Sequence, residues 1–115
     1  NGCWGNAEEL NALLAALGST MTLSGEGGGP LAVTNLNIIS VPPITDGVSS
    51  IAVYYTGSVD PGSGVALGTI PDGDVVIGYE AIGSGSIVAV ADSSMFGYVL
   101  DQADNEQFVL NLASF

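Results

Sequence analysis

The stretch Ser86–Phe115, SIVAVADSSMFGYVLDQADNEQFVLNLASF, decides how this chain is read. Ile87, Val88, Ala89, Val90 and Ala91 form a wholly apolar run rich in β-branched residues, the pattern of a strand buried on both faces. The run ends on a polar cluster, Asp92-Ser93-Ser94, at the carboxyl end of the strand, where open α/β sheets place their sites. After a loop through Gly97, Asp104 is positioned to cap a helix, and Gln107 at its third position completes a capping box. Phe108, Leu112 and Phe115 then line one helical face. The pattern predicts a strand–loop–helix unit on which the rest of the chain packs.

Working back toward the start, a second helix is predicted. Asn6 is an N-cap with Glu9 three residues later, and Glu8 and Glu9 suit the positive end of the helix dipole. Leu10, Leu13, Leu14 and Leu17 recur at the spacing of one helical face, and Gly18 is a natural stop. Between the helices the chain reads as strands. Thr20 to Ser24 alternates weakly, and the glycine-rich stretch from Glu26 to Pro30 is a flexible connection. Leu31 to Val41 reads as one irregular strand or two short ones, closed by Pro42 and Pro43. Ser50 to Thr56 is a strand, Asp60 to Gly64 a loop and Val65 to Ile70 a strand. The turn Pro71-Asp72-Gly73 leads into a strand from Asp74 to Ile82, and Gly83-Ser84-Gly85 folds that strand back as a hairpin. Helix, strands, helix is an α/β or α+β order with one antiparallel-rich flank.

Composition narrows the function further. The 115 residues, 47% of them hydrophobic, make one domain with room for a core. Twelve acidic residues stand against no Lys, Arg or His, a net charge of −12. No side-chain salt bridge can form, no histidine can act as base or metal ligand, and no basic patch can hold nucleic acid or an anionic membrane. The carboxylates must be satisfied by water, backbone N–H groups, helix N-termini or bound cations. One reading is a solvated acidic surface; another is an extracellular protein partly neutralised by calcium. A lone cysteine makes no intrachain disulfide, and the apolar runs are too short and interrupted to span a bilayer as helices. Residue 1 is not Met, so the chain reads as processed or excised.

Several landmarks together resemble a known family. Asn11 to Gly18 (NALLAALG) looks like the helix of class I glutamine amidotransferase-like domains, in particular non-catalytic members from secreted bacterial proteins. Pro43-Ile44-Thr45-Asp46-Gly47-Val48 resembles their "P-[IL]-T-x-G-V" turn, and Ala91-Asp92-Ser93-Ser94-Met95-Phe96 their "G-D-S-x-x-F" strand end. Asp104-Asn105-Glu106-Gln107-Phe108 through Asn111-Leu112 resembles their closing "D-N-x-x-F-x-x-N-L" helix. The resemblance implies an α/β domain over residues 1–115. It would be a partial flavodoxin-like sandwich with a mixed sheet, N-terminal and C-terminal helices and an antiparallel-rich flank. It also implies that this is the C-terminal portion of the family fold. The upstream β–α units would lie in a larger parent, come from a partner or be lost.

The family's chemistry is not intact. A nucleophile elbow needs small residues around a nucleophile on a tight strand-to-helix turn, as in G-x-C-x-G, and Gly2-Cys3-Trp4-Gly5 is one residue short of it. The resemblance would supply a His–Glu pair to activate the thiol, but the chain has no His, and a carboxylate such as Asp92 disfavours the thiolate. Cys3 then reads as a small turn residue, with Cys3 and Trp4 kept as candidate binding residues. Asp92, Ser93 and Ser94 suit a sugar hydroxyl or a hard cation, or a structural role in which Asp92 binds loop N–H groups. Asp72 and Asp74 flank Gly73 as weak calcium candidates without the further ligands of a calcium loop, and hairpin-turn chemistry also explains them. Tyr54, Tyr55, Tyr79 and Trp4 can stack on carbohydrate, yet tyrosine is ordinary strand composition.

The expectation is therefore a non-enzymatic extracellular or cell-surface module with no cofactor unless calcium. The alternatives are a self-assembling filament or surface-layer subunit and, against the missing histidine, a cysteine-dependent hydrolase. Its partners would be further copies of itself or a larger parent, not nucleic acid or the membrane interior. An apolar central strand with one edge unfilled is the reason to expect association.

Overall fold

A computed structural model describes residues 7–24, 32–71, 73–92 and 94–114. Helix α1 spans Ala7–Ala16 and stops at Gly18, whose φ of 88° is the left-handed geometry that glycine adopts without strain. Strands follow as β1 (Thr22–Ser24), β2 (Val33–Ile38), β3 (Ile51–Tyr54), β4 (Ser58–Asp60), β5 (Val65–Thr69), β6 (Val75–Ile82) and β7 (Gly85–Val90). A 3-10 turn at Ser94–Phe96 leads to α2, Asn105–Ser114. The chain is thus a mixed α/β fold. The expected glycine connection from Glu26 to Pro30, the Asn6 cap and Phe115 lie outside the described residues.

Five strands form one sheet in the order β3-β2-β5-β6-β7, while β1 and β4 make a separate two-stranded ribbon. Every described pairing is antiparallel. The parallel strands of a flavodoxin-like sandwich are therefore not found among the described residues. The turns between β5, β6 and β7 span only a few residues, and a parallel neighbour needs a crossover of about a dozen or more. The ribbon packs on β6 at Gly78, where a Cβ would come within 2.9 Å of both Met21 Sδ and Val59 Cγ1. Glycine in this strand marks a close approach between layers.

The sheet curls until its two end strands approach at their carboxyl ends. Gly57 N–H donates to the Ala91 carbonyl at 2.9 Å, and Tyr54 N–H donates to Asp92 Oδ2 at 2.9 Å. Phe108 of α2 is fully buried in one cluster with Met21, Ile44, Ile51, Leu67, Ile77 and Met95. Of the two residues expected beside it, Leu112 packs against the cluster from a half-buried position, and Phe115 lies outside the described residues.

Three expectations are corrected. The apolar run from Ile87 forms β7 at the rim of the sheet, with Ile87, Val88 and Val90 half-buried, while β5 holds the centre. Burial on both faces falls instead on β3, whose Ile51, Ala52 and Val53 are 0%, 0% and 1% exposed, and on β6 from Val76 to Gly78. An apolar run reports burial but not position in the strand order, so β7 and β3 were interchangeable on sequence. In α1 only Leu14 is buried, and Leu13 and Leu17 are 55% and 53% exposed. That helix is held instead by Asn11, which grips β1 through polar contacts. Finally, the loop expected from Asp60 begins one residue later, because Ser58–Asp60 pairs with β1.

Candidate functional site: the two edges of the sheet

Asp92 lies between β7 and the 3-10 turn and is 3% exposed. Its Oδ1 accepts the Ser94 N–H at 2.9 Å and its Oδ2 accepts the Tyr54 N–H at 2.9 Å. Both carboxylate oxygens are engaged by backbone, which is the structural role weighed for this residue. Ser94 is half-buried, and its carbonyl receives the Gly97 and Val99 N–H groups at 3.0 and 2.9 Å, shaping the turn that follows. Ser93, Cys3, Trp4 and Asp72 lie outside the described residues. Asp74 is exposed in the turn between β5 and β6, where its carbonyl accepts the Ile70 N–H at 2.8 Å. Among the described residues, no three His, Cys, Asp or Glu side chains gather as a metal site. Tyr54 meets Tyr98 edge-to-face at 5.3 Å between ring centres.

The outer edge of β3 is closed by side chains. Asn105, 0% exposed, donates through Nδ2 to the Ala52 carbonyl at 2.8 Å and accepts the Ala52 N–H on Oδ1 at 2.7 Å. One amide side chain thus supplies the donor and the acceptor that a neighbouring strand would. Its Nδ2 also reaches the Val99 carbonyl at 2.9 Å. Next to it, Asp104 N–H donates to the Ser50 carbonyl at 3.0 Å. Asp104 Oδ2 accepts Ser49 N–H, Ser49 Oγ–H and Ser50 N–H at 2.9, 3.1 and 3.2 Å. These bonds, the Ser49 N–H first, hold the Asp104 carboxyl below its ordinary pKa. The expected capping box does not form: Asp104 turns to Ser49 and Ser50, and Gln107 Nε2 donates to Asn111 Oδ1 at 2.9 Å. With Asp92 on Tyr54, alternate residues from Ser50 to Tyr54 each have an outward group satisfied.

The same device recurs. Asn11 of α1 accepts the Leu23 N–H at 2.6 Å and donates to the Leu23 carbonyl at 2.9 Å, closing the edge of β1. Asn111 donates to the carbonyls of Ile44 and Asp46, both at 2.8 Å, stapling that turn to α2. Glu80 of β6 accepts Ser19 Oγ–H at 2.7 Å, Thr20 Oγ–H at 2.8 Å and Thr20 N–H at 2.9 Å. Its carboxyl is held below the ordinary value, chiefly by the Ser19 hydroxyl and then by Thr20. Asn11, Glu80, Asn105 and Asn111 went unrecognised in the sequence as structural anchors. For Asn11 and Asn111 the available signal was asparagine, a poor helix former, inside a helix, whereas nothing local marked Glu80.

β7 presents a different edge. Ala91 N–H donates to the Val76 carbonyl at 2.9 Å, which fixes the alternation along the β6–β7 ladder. Gly85, Ile87 and Ala89 therefore bond toward β6, and Ser86, Val88 and Val90 turn their backbone groups away. Val90 is engaged elsewhere. Against Ser86 and Val88 no strand is paired among the described residues. Beside them, Tyr79, Ala81, Ser84 and Ser86 line an open hollow of about 500 Å³ at the hairpin tip. No described helix is long and apolar enough to cross a membrane. No protein-family model matches the chain, and neither a curated protein nor a solved structure does.

Proposed function

We propose that this chain is a non-enzymatic structural or interaction module, extracellular or at a cell surface, that works through its sheet rather than through a reacting centre. Asp92 carries the reading. It is the polar side chain at the strand end where an α/β site would sit, and both its oxygens are bound by N–H groups of the chain's own backbone. The other landmarks that resemble amidotransferase-like domains behave in the same way. Asp104 and Asn105 close β3, and Asn111 ties α2 to the turn at Ile44 and Asp46. On this reading the resemblance reflects retained structural staples. Its finer form, a partial flavodoxin-like sandwich, requires parallel strands beyond those described, from a longer parent or a neighbour.

The unpaired side of β7 favours a second reading within the same class, a subunit that completes its sheet with another chain. The non-enzymatic reading is tested by assaying the chain and its Cys3→Ser variant on activated esters and γ-glutamyl amides. Neither is expected to turn substrate over, since the sequence has no histidine to form the thiolate. Hydrolysis by the unaltered chain that disappears in Cys3→Ser overturns it.

A further inference from the structure

Which edge, which partner and how many copies follow from the difference between β3 and β7. A head-to-tail filament needs two open edges on each subunit, so that one copy's β7 can pair with the next copy's β3. The β3 edge is not available, because Asn105, Asp104 and Asp92 already occupy its outward groups. What remains on the five-stranded sheet is β7, with Ser86 and Val88 facing outward.

Charge selects the occupant. The chain carries −12 and no cation, so most approaches of one copy to another are repulsive. Gly85–Val90 and the Gly83-Ser84 turn contain no charged residue. Glu80, the carboxylate on the neighbouring strand, is turned to Ser19 and Thr20. This strip is therefore where two copies meet with least repulsion, and it offers a cationic partner nothing that the rest of the surface does not offer more strongly.

We infer that β7 is a self-docking edge, on which a second copy of the chain lays its own β7 antiparallel about a two-fold axis through Ile87. The inference rests on the reading of the chain as an interaction module. In that register Ser86 of each copy faces Val88 of the other, and the two pairs exchange about four backbone N–H···O=C bonds. The interface is isologous, so assembly stops at two copies and joins two curled sheets into one. So small an interface is reversible and concentration-dependent, and salt strengthens it by screening the like charges.

The test is sedimentation velocity over a range of concentrations in low and high NaCl, on the unaltered chain, Val88→Pro and Ser86→Pro. Neither residue's N–H bonds to β6, so proline at either position removes an outward donor and leaves the β6–β7 ladder intact. The unaltered chain is expected to pass from monomer to dimer, more readily in high salt, and each variant to weaken the dimer about tenfold or more. Amide exchange at Ser86 and Val88 should slow as concentration rises, a readout that does not depend on how well the variants fold. A monomer at every concentration, with exchange unchanged, overturns the inference and leaves the non-enzymatic reading standing. Association that ignores both prolines overturns it too, placing the contact on another surface. Growth beyond two copies overturns the two-fold closure.

Discussion

β3 and β7 bound the same sheet, both are short and apolar, and they end differently. β3 has its outward groups met by Asn105, Asp104 and Asp92, and its Ile51, Ala52 and Val53 are sealed from water. β7 has Ser86 and Val88 turned outward, and its Ile87, Val88 and Val90 are only half covered. Natural sheets guard edges with lysine, proline, bulges or covering elements. This chain has no lysine, and at β3 it uses side-chain amides and carboxylates as surrogates for a strand. At β7, among the described residues, no such surrogate stands against Ser86 and Val88. The contrast teaches that hydrophobicity alone does not mark a docking strand; the fate of its outward N–H and C=O groups does.

The strongest way to break this contrast is to open the closed edge. Asn105→Ala removes three hydrogen bonds and leaves the N–H and C=O of the buried Ala52 unmet, at about 1–3 kcal/mol for each stranded group. The urea midpoint should fall by the equivalent of about 3 kcal/mol or more. Asn11→Ala makes the same change at Leu23, where half-exposure lets water replace the amide, and should cost about 1 kcal/mol. Equal losses from the two substitutions would show that burial of the edge is not what makes the Asn105 plug matter.

How much of this was legible in the sequence depends on whether a signal was local. The helix at Ala7–Ala16, its stop at Gly18 and the hairpin of β6 and β7 follow from periodicity and turn residues a few positions apart. So does the backbone-binding role of Asp92, in so far as Ser94 lies two residues away. Its second partner, Tyr54, is 38 residues distant, and no spacing rule reaches that far. Asn105 and Ala52 are 53 residues apart, and Glu80 and Thr20 are 60 apart. The rank of each strand in the sheet is non-local in the same sense, and for that reason β7 read as central. The exposed Leu13 and Leu17 show the reverse failure: a regular apolar face was present, but of its four leucines only Leu14 is buried and these two stay open to solvent.

Acid should loosen the Asp104 closure of β3 and the Glu80 clasp on Ser19 and Thr20, and spare the outward groups of β7. The Glu80 and Asp104 carboxyls are both held below their ordinary values of 4.5 and 3.8. Each therefore contributes stability that is fully present above its unfolded pKa and is lost as pH falls through the folded one. Relief of repulsion among the other carboxylates works in the opposite direction, so the unaltered chain alone does not isolate the effect. Glu80→Gln does, since a protonated Glu80 resembles the amide. The variant should be less stable than the unaltered chain at neutral pH, with the gap shrinking as pH falls below about 4. In the unaltered chain, exchange at Thr20 and Ser50 should quicken over the same range while Ser86 and Val88 change little. A gap that is constant with pH would mean that the Ser19 and Thr20 bonds do not favour the ionised form.

The smallest effect lies at the seam where the two edges meet. Thr56 follows β3 and precedes Gly57, whose N–H binds the Ala91 carbonyl just beyond β7. It is 1% exposed, and its hydroxyl has no hydrogen-bond partner among the described residues. A buried hydroxyl without a partner gives up its water and gains nothing in return, a cost of about 1–3 kcal/mol. Valine has nearly the same shape and lacks that group, so Thr56→Val should stabilise the chain by about 1 kcal/mol. For a domain of this size that is a rise in melting temperature of about 4 °C. The Gly57–Ala91 bond is backbone to backbone and should persist, so association through β7 should be unchanged while the seam becomes harder to open. A loss of stability of similar size would show instead that the hydroxyl is satisfied, by water held in the seam, and that the closure of β3 onto β7 is wetter than its burial indicates.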